Sequence, residues 1–283
     1  YRGPSLSKLT GRQIIPVRGF IEDRLMAKSP AELRLIEESC VWGNLAHTLL
    51  QRYTKPGATE TEVSQRASDE ATRAMMDAIG PIYRAQSTYG TGASAGYRGQ
   101  IGRNAAIPHA LANNIVFRDG DVLVTGAGAT MWGYNSELER TMVIGKASDE
   151  VKTMFDHMLA LQETAFDAIK PGEPCSNVDR KVRAYYEKHD LMPYWKHHVG
   201  HNIGLRYHEA PFLDIGDDTI LQPGMLFTVE PGLYIRPADN VPPHFHNIGV
   251  RIEDDILVTA SGNENLTLKT PKSVADVEAA CRR

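Results

Sequence analysis

An α+β fold built on antiparallel sheet is what this sequence predicts, and three observations carry it. Two stretches of helical periodicity open the chain and short apolar strands follow. The same order, helices then strands, returns in the second half, which suggests two similar halves. With 283 residues, 42% hydrophobic and 23% charged, the chain can bury a sizeable core, and no short-period repeat points to a solenoid.

Each element has a local reason. Residues 1–28 lack clear periodicity. Ser29-Pro30-Ala31-Glu32 then starts a helix, with Ser29 as N-cap, Pro30 in the first turn and Glu32 closing a capping box. Leu33, Ile36, Val41, Leu45 and Leu49 continue it at roughly helical spacing until Lys55-Pro56-Gly57. A second helix is expected over 60–79, stopped by Gly80-Pro81. Asp119-Gly120 is a turn signal, and residues 122–125 form a short buried strand that Gly126 to Gly128 should break. Residues 134–144 read as the next strand. Helices are expected over 149–169 and 177–189, parted by Lys170-Pro171-Gly172-Glu173-Pro174. Strands over 199–205, 226–235 and 249–259 fill the last third.

Composition excludes several classes of function. The 31 basic and 35 acidic residues give a net charge of −4, with no basic surplus for nucleic acid and no like-charge tail. No apolar run reaches membrane-spanning length, and residues 1–11 lack the apolar core of a signal peptide. Cys40, Cys175 and Cys281 are too few and too far apart for a disulfide framework or a zinc ribbon, so a reducing, cytoplasmic setting is expected. Cys175, just after Pro174 at a helix start, reads as structural.

Histidines and carboxylates gather in four segments. The first runs from Asn104 to Ala110 around His109. The second, Gly126 to Thr141, contains Glu137 and Glu139, two apart and so on one face of a strand. The third holds His197, His198, His201, His208 and Glu209. The last supplies Glu230 after Leu226-Phe227-Thr228-Val229, then Glu253 beside Ile252 and Asp254. Acids interrupting apolar strands, with histidines nearby, suit a metal or a cationic ligand. Four converging carboxylates would repel one another unless something positive joined them or some were protonated.

In order and spacing, these segments resemble the pita-bread family of C–N bond hydrolases, which includes methionine aminopeptidase, aminopeptidase P, prolidase and creatinase. The matching motifs are Gly133-Tyr134-Asn135-Ser136-Glu137-Leu138-Glu139-Arg140-Thr141, Gly200-His201-Asn202-Ile203-Gly204, Glu230-Pro231-Gly232 and Arg251-Ile252-Glu253-Asp254, within residues 29–259. The resemblance implies a curved antiparallel sheet flanked by helices. It also implies a metal site of two aspartates, one histidine and two glutamates. His201, Glu230 and Glu253 take three of those positions. Glu137 takes that of the second aspartate, and Gly126 leaves that of the first without a ligand. The expectation is therefore no metal or one divalent ion (manganese, iron, cobalt or zinc) on Glu137, His201, Glu230 and Glu253.

Creatinase, the metal-free relative, also lacks the first aspartate. On that resemblance Glu139 and Glu253 would grip a cationic substrate, His201 would face it, and His109 would move the proton. No arginine for a substrate carboxylate is evident, and Phe212 stands near that point. The peptidases instead place His208 against the substrate, with Glu230 also in the catalytic set. The leading expectation is a creatinase-like hydrolase of a small, cationic C–N substrate. The alternatives are a mononuclear Xaa-Pro aminopeptidase or prolidase acting on a short peptide, and a non-catalytic binding member. Residues 1–28 would be a hinge or the remnant of a missing N-terminal domain and 29–283 the catalytic domain, in a homodimer. His244 and His246 either border the pocket or belong to a loop.

Overall fold

The structure, a computed structural model, describes residues 3–80, 92–237 and 240–281. Two short helices, α1 (Leu6–Thr10) and α2 (Glu22–Leu25), lie in the segment that carries no periodicity. The chain then joins the body of the molecule. Ala27 bridges Met225, and the Lys28 amide donates to the Gly224 carbonyl at 2.8 Å. The Lys28 ammonium is buried against Asn202 and Glu209.

α3 (Pro30–Tyr53) starts as its sequence dictates. The Ser29 hydroxyl accepts from the Glu32 amide, and the Glu32 carboxylate accepts from the Ser29 amide at 2.7 Å. α4 (Glu60–Ile79) is capped by Thr59 and closes on Gly80; Pro81, the other half of the expected stop signal, lies outside the described residues. Both helices cover a three-stranded antiparallel sheet of β1 (Ala93–Gly96), β2 (Val122–Met131) and β3 (Tyr134–Val143), in that order. Leu50, Ala71, Leu123, Leu138 and Met142 form the core between them.

The second half repeats the plan. Helices α5 (Asp149–Ala168) and α6 (Cys175–Lys188) precede β4 (Gly200–Asn202), β5 (Glu209–Leu213), β6 (Leu226–Val229), β7 (Gly232–Tyr234), β8 (Gly249–Arg251), β9 (Asp254–Thr259) and β10 (Gly262–Asn265). Five of these strands form an antiparallel sheet in the order β10-β9-β6-β4-β5, and β7 pairs with β8. Phe155, Met158, Val178, Phe227 and Val250 make the second core. The halves are stitched where Glu139 and Glu253 exchange backbone hydrogen bonds of 3.2 and 3.0 Å. A last helix, α7 (Val274–Cys281), sets Val277 into the first core.

Three expectations need correction. Gly126 to Gly128 do not break a strand; β2 runs through them. A Cβ on Gly43 of α3 would lie 3.1 Å from the Gly128 Cα, so small residues here let helix and strand approach. The strands expected over 226–235 and 249–259 are each two strands in different sheets, parted at Glu230-Pro231 and at Ile252-Glu253. Strands β1, β5 and β10 and helix α7 carried no clear signal; the Ala-Ser-Ala-Gly of β1 has no large apolar alternation. Cys175 is buried at the start of α6, and burial pushes its thiol up to about 12, as suits a structural cysteine. No helix among the described residues is long and apolar enough to cross a membrane.

Candidate active site

The site forms where the two halves meet. On β3, Glu137 and Glu139 leave the same face with Leu138 between them. Across the strand pair they oppose Gly128 and Gly126. A Cβ on Gly126 would stand 3.2 Å from Glu139 Oε1 and 3.6 Å from Arg98 Nη2, so Glu139 and Arg98 fill the corner that the glycine leaves open.

Glu230 and Glu253 each sit where the chain passes from one sheet to the other, Glu230 between β6 and β7 and Glu253 between β8 and β9. His201 comes from β4. Its backbone lies close to β6 because Gly200 packs against the Thr228 carbonyl with no room for a Cβ. His201 Nε2 and His198 Nε2 each lie 3.5 Å from Glu230 Oε1. Three overlapping groups have ligand atoms within 4.8 Å of one another: Glu137 with His201 and Glu253, Glu139 with Glu230 and Glu253, and His198 with His201 and Glu230.

Charge in this cluster is only partly balanced. Arg251 is fully buried and grips both oxygens of Glu139, one through Nε and the other through Nη2 at 2.6 Å. Its Nη1 donates to the Tyr234 hydroxyl at 2.9 Å, which is also 2.9 Å from His197 Nε2. Arg98 reaches in from the loop after β1, with Nη2 2.7 Å from Glu137 Oε1 and Nη1 3.4 Å from Glu139 Oε1. Glu137 Oε2 and both oxygens of Glu253 are buried with no hydrogen-bond partner among the described residues. An ionised carboxylate left so is strongly destabilised, and a divalent cation would relieve it. The donor set of carboxylate oxygens and imidazole nitrogen therefore fits such an ion.

The acidities follow these surroundings. Burial pushes Glu137 up to about 7 against the pull of Arg98. Glu253 lies well above the usual carboxylate range through burial and the neighbouring Glu137 and Glu230. Burial would also raise Glu139, but Arg251 and Arg98 hold it below the ordinary value. Glu230, opposed to burial by His198, His197, His201 and Arg251, stays low. Burial lowers His201 to about 4. Behind Glu137, Asp255 Oδ2 accepts from the Glu137 amide at 3.1 Å and faces the Cys40 thiol, and burial lifts its pKa well above normal.

A cavity of about 480 Å³ opens onto the cluster, lined by Arg98, His109, Gly126, Glu137, Tyr207 and His208. The His208 ring lies 4.2 Å from that of His201. His109 Nδ1 is 3.4 Å from Arg98 Nη1. Burial lowers both rings' pKa, reinforced at His109 by Arg251 and Arg98, so each is neutral near pH 7. Phe212 packs against His198 and His201 at 5.4 and 6.4 Å between ring centroids. His244 and His246 are elsewhere, beside Arg103 and Asp121 in a separate depression, with the His246 ring on the Val241 carbonyl.

Every predicted site residue, Glu137, Glu139, His201, Glu230, Glu253, His109 and His208, thus borders one cluster. Sequence reasoning missed Arg98, and left His198 and Arg251 without a part. Arg251 was legible inside the Arg251-Ile252-Glu253-Asp254 motif. Arg98, one arginine in a glycine-rich stretch, carries no local signal.

Comparison with known proteins agrees with this fold. Residues 34–260 match the model of metallopeptidase family M24. The chain is 32% identical over 251 residues to an Xaa-Pro dipeptidase of Pyrococcus horikoshii, covering 89% of this chain and 65% of that protein. It is 30% identical over 285 residues to the Xaa-Pro aminopeptidase of Escherichia coli, covering 94% and 62%. In structure it matches an Xaa-Pro dipeptidase from Bacillus anthracis with a TM-score of 0.78 at 31% identity, covering 95% of this chain and 71% of that one. The chain therefore spans a little under two thirds of those Pyrococcus and Escherichia relatives. The pita-bread fold is borne out, and the chain belongs to metallopeptidase family M24.

Proposed function

We propose that this chain hydrolyses the C–N bond of a short peptide of the Xaa-Pro kind, at a centre of one divalent ion held by Glu137, His201, Glu230 and Glu253. The observation that carries the reading is the set of buried, unpartnered oxygens on Glu137 and Glu253 beside His201 and Glu230. Bound there, a divalent ion would supply Lewis acidity and lower the pKa of water. The chain's own residues do the rest. Arg251 and Glu139 hold the floor of the site as a buried ion pair. His208, neutral and facing the cavity, is placed to donate a hydrogen bond to the substrate carbonyl oxygen. His109, also neutral, is placed to carry a proton toward the leaving nitrogen.

The names of the relatives, Xaa-Pro dipeptidase and Xaa-Pro aminopeptidase, support this substrate class over a creatinase-like one. So does Glu139. A creatinase-like grip needs its charge for the substrate, yet both its oxygens sit on Arg251. A homodimer in the cytoplasm, and the division of the chain at residues 28 and 29, extend the same reading.

The test is hydrolysis of an Xaa-Pro dipeptide and an Xaa-Pro tripeptide by metal-stripped protein titrated with Mn²⁺. Turnover should rise and level off at one ion per chain, and Glu253→Gln should abolish both binding and turnover. No hydrolysis with Mn²⁺, Fe²⁺, Co²⁺ or Zn²⁺ would sink the reading.

A further inference from the structure

Four carboxylates, Glu137, Glu139, Glu230 and Glu253, meet two guanidiniums, Arg98 and Arg251, in the cluster. With all four ionised, as an ion bound among them requires, four minus two leaves two negative charges among the described residues, which one divalent ion neutralises. A second ion would leave the pocket with a surplus of two positive charges in buried surroundings, where like charges repel strongly.

The positions sharpen this count. The Glu137, His201 and Glu253 group keeps unpartnered oxygens and is open to an ion. The other carboxylate group needs Glu139, whose Oε1 is shared between Arg251 and Arg98. Arg98 stands at the corner beside Gly126, where a side chain on β2 would otherwise point. Its backbone is in the left-handed region, at φ 49, and the next residue is Gly99 at φ 70. The Gly99 amide is fastened to the buried Glu60 carboxylate at 2.6 Å. A non-glycine residue seldom adopts that conformation, so the loop is held there by its surroundings.

We infer that Arg98 is a resident cation that closes the Glu137–Glu139 side of the site, so that removing its charge would admit a second divalent ion. This rests on the one-ion reading above and assigns the cause of that limit to one side chain. Arg251 anchors Glu139 from below, and Arg98 caps the same carboxylate from the cavity. The guanidinium is there a positioning and charge-balancing group, not a group that reacts.

Mn²⁺ alone is the probe. Metal-stripped wild-type protein, Arg98→Met, Arg98→Gln and Arg98→Lys are titrated by calorimetry and followed by electron paramagnetic resonance. Circular dichroism shows which variants fold, and Arg98→Gln stands in should Arg98→Met fail. Wild type and Arg98→Lys should bind one ion with an isolated six-line spectrum. Arg98→Met and Arg98→Gln should bind a second, at least about tenfold tighter than any second binding in wild type, with the spectrum broadened by spin coupling. One ion in every variant would overturn the part given to Arg98 and leave the one-ion reading standing. Two ions or none in wild type would overturn both.

Discussion

At the scale of single residues, His109 separates a chemical role from a packing one. It lines the cavity, it is neutral near pH 7, and its backbone is left-handed, at φ 54. Replacing it with Asn keeps a small polar group that tolerates that backbone. Turnover should fall about a hundredfold with KM little changed, the scale of a lost general acid–base. A rise in KM alone would make His109 a binding residue, and no change would remove it from the chemistry. The residue scale is also where the sequence was most legible. Glu137, His201, Glu230 and Glu253 were readable because each sits in a short motif beside glycine, proline or arginine. What their charges were balanced by was not readable. Arg98 lies some forty residues from Glu137 in sequence and meets it only because β1 and β3 flank the same strand.

At the scale of elements, the four long helices α3 to α6 were legible to within a residue or two because their signals are local. The Ser29 capping box and the Gly80 terminus need only their neighbours. Strands were less so, since a switch from one sheet to another is decided by partners far along the chain. Nothing within 226–235 or 249–259 marks a change of sheet except Pro231, yet both glutamates owe their positions to it. The close approach of β4 to β6 is equally non-local. A Cβ on Gly200 would run into the Thr228 carbonyl. Gly200→Ala should therefore part the strands that carry His201 and Glu230. The expected loss is about 1–3 kcal/mol of stability, the scale of overpacking. Mn²⁺ affinity should fall more than tenfold in protein that still shows native circular dichroism. Unchanged metal affinity would mean that the sheet absorbs the methyl group without moving its ligands.

For the molecule as a whole, one buried histidine ties folding to pH. His47 lies in the middle of α3, fully buried, with Nε2 2.8 Å from the Thr125 hydroxyl. That hydroxyl donates to the Arg140 carbonyl at 2.8 Å, so the imidazole must donate to it through Nε2–H, leaving Nδ1 bare and without a partner among the described residues. Arg140 in turn binds Asp254 at 2.7 Å and the carbonyls of Glu253, Thr267 and Thr270, drawing β3, β9 and the C-terminal segment together. Burial, aided by the nearby Arg140 charge, lowers His47 to about 3 from 6.5. The sign follows from proton counting. Between those values the unfolded chain holds a proton that the folded chain refuses. The stability contributed by the neutral ring is thus complete above pH 6.5 and is lost as pH falls toward 3. From pH 8 to 5 the loss from this one group should be about 2 kcal/mol. His47→Gln keeps a donor toward Thr125 but cannot ionise. Urea unfolding in EDTA at pH 8 and pH 5 should show wild type losing about 2 kcal/mol more than the variant on acidification, although the variant is the less stable of the two at pH 8. Equal losses in both would place the acid sensitivity in the carboxylates of the cluster and not in the contact between α3 and β2.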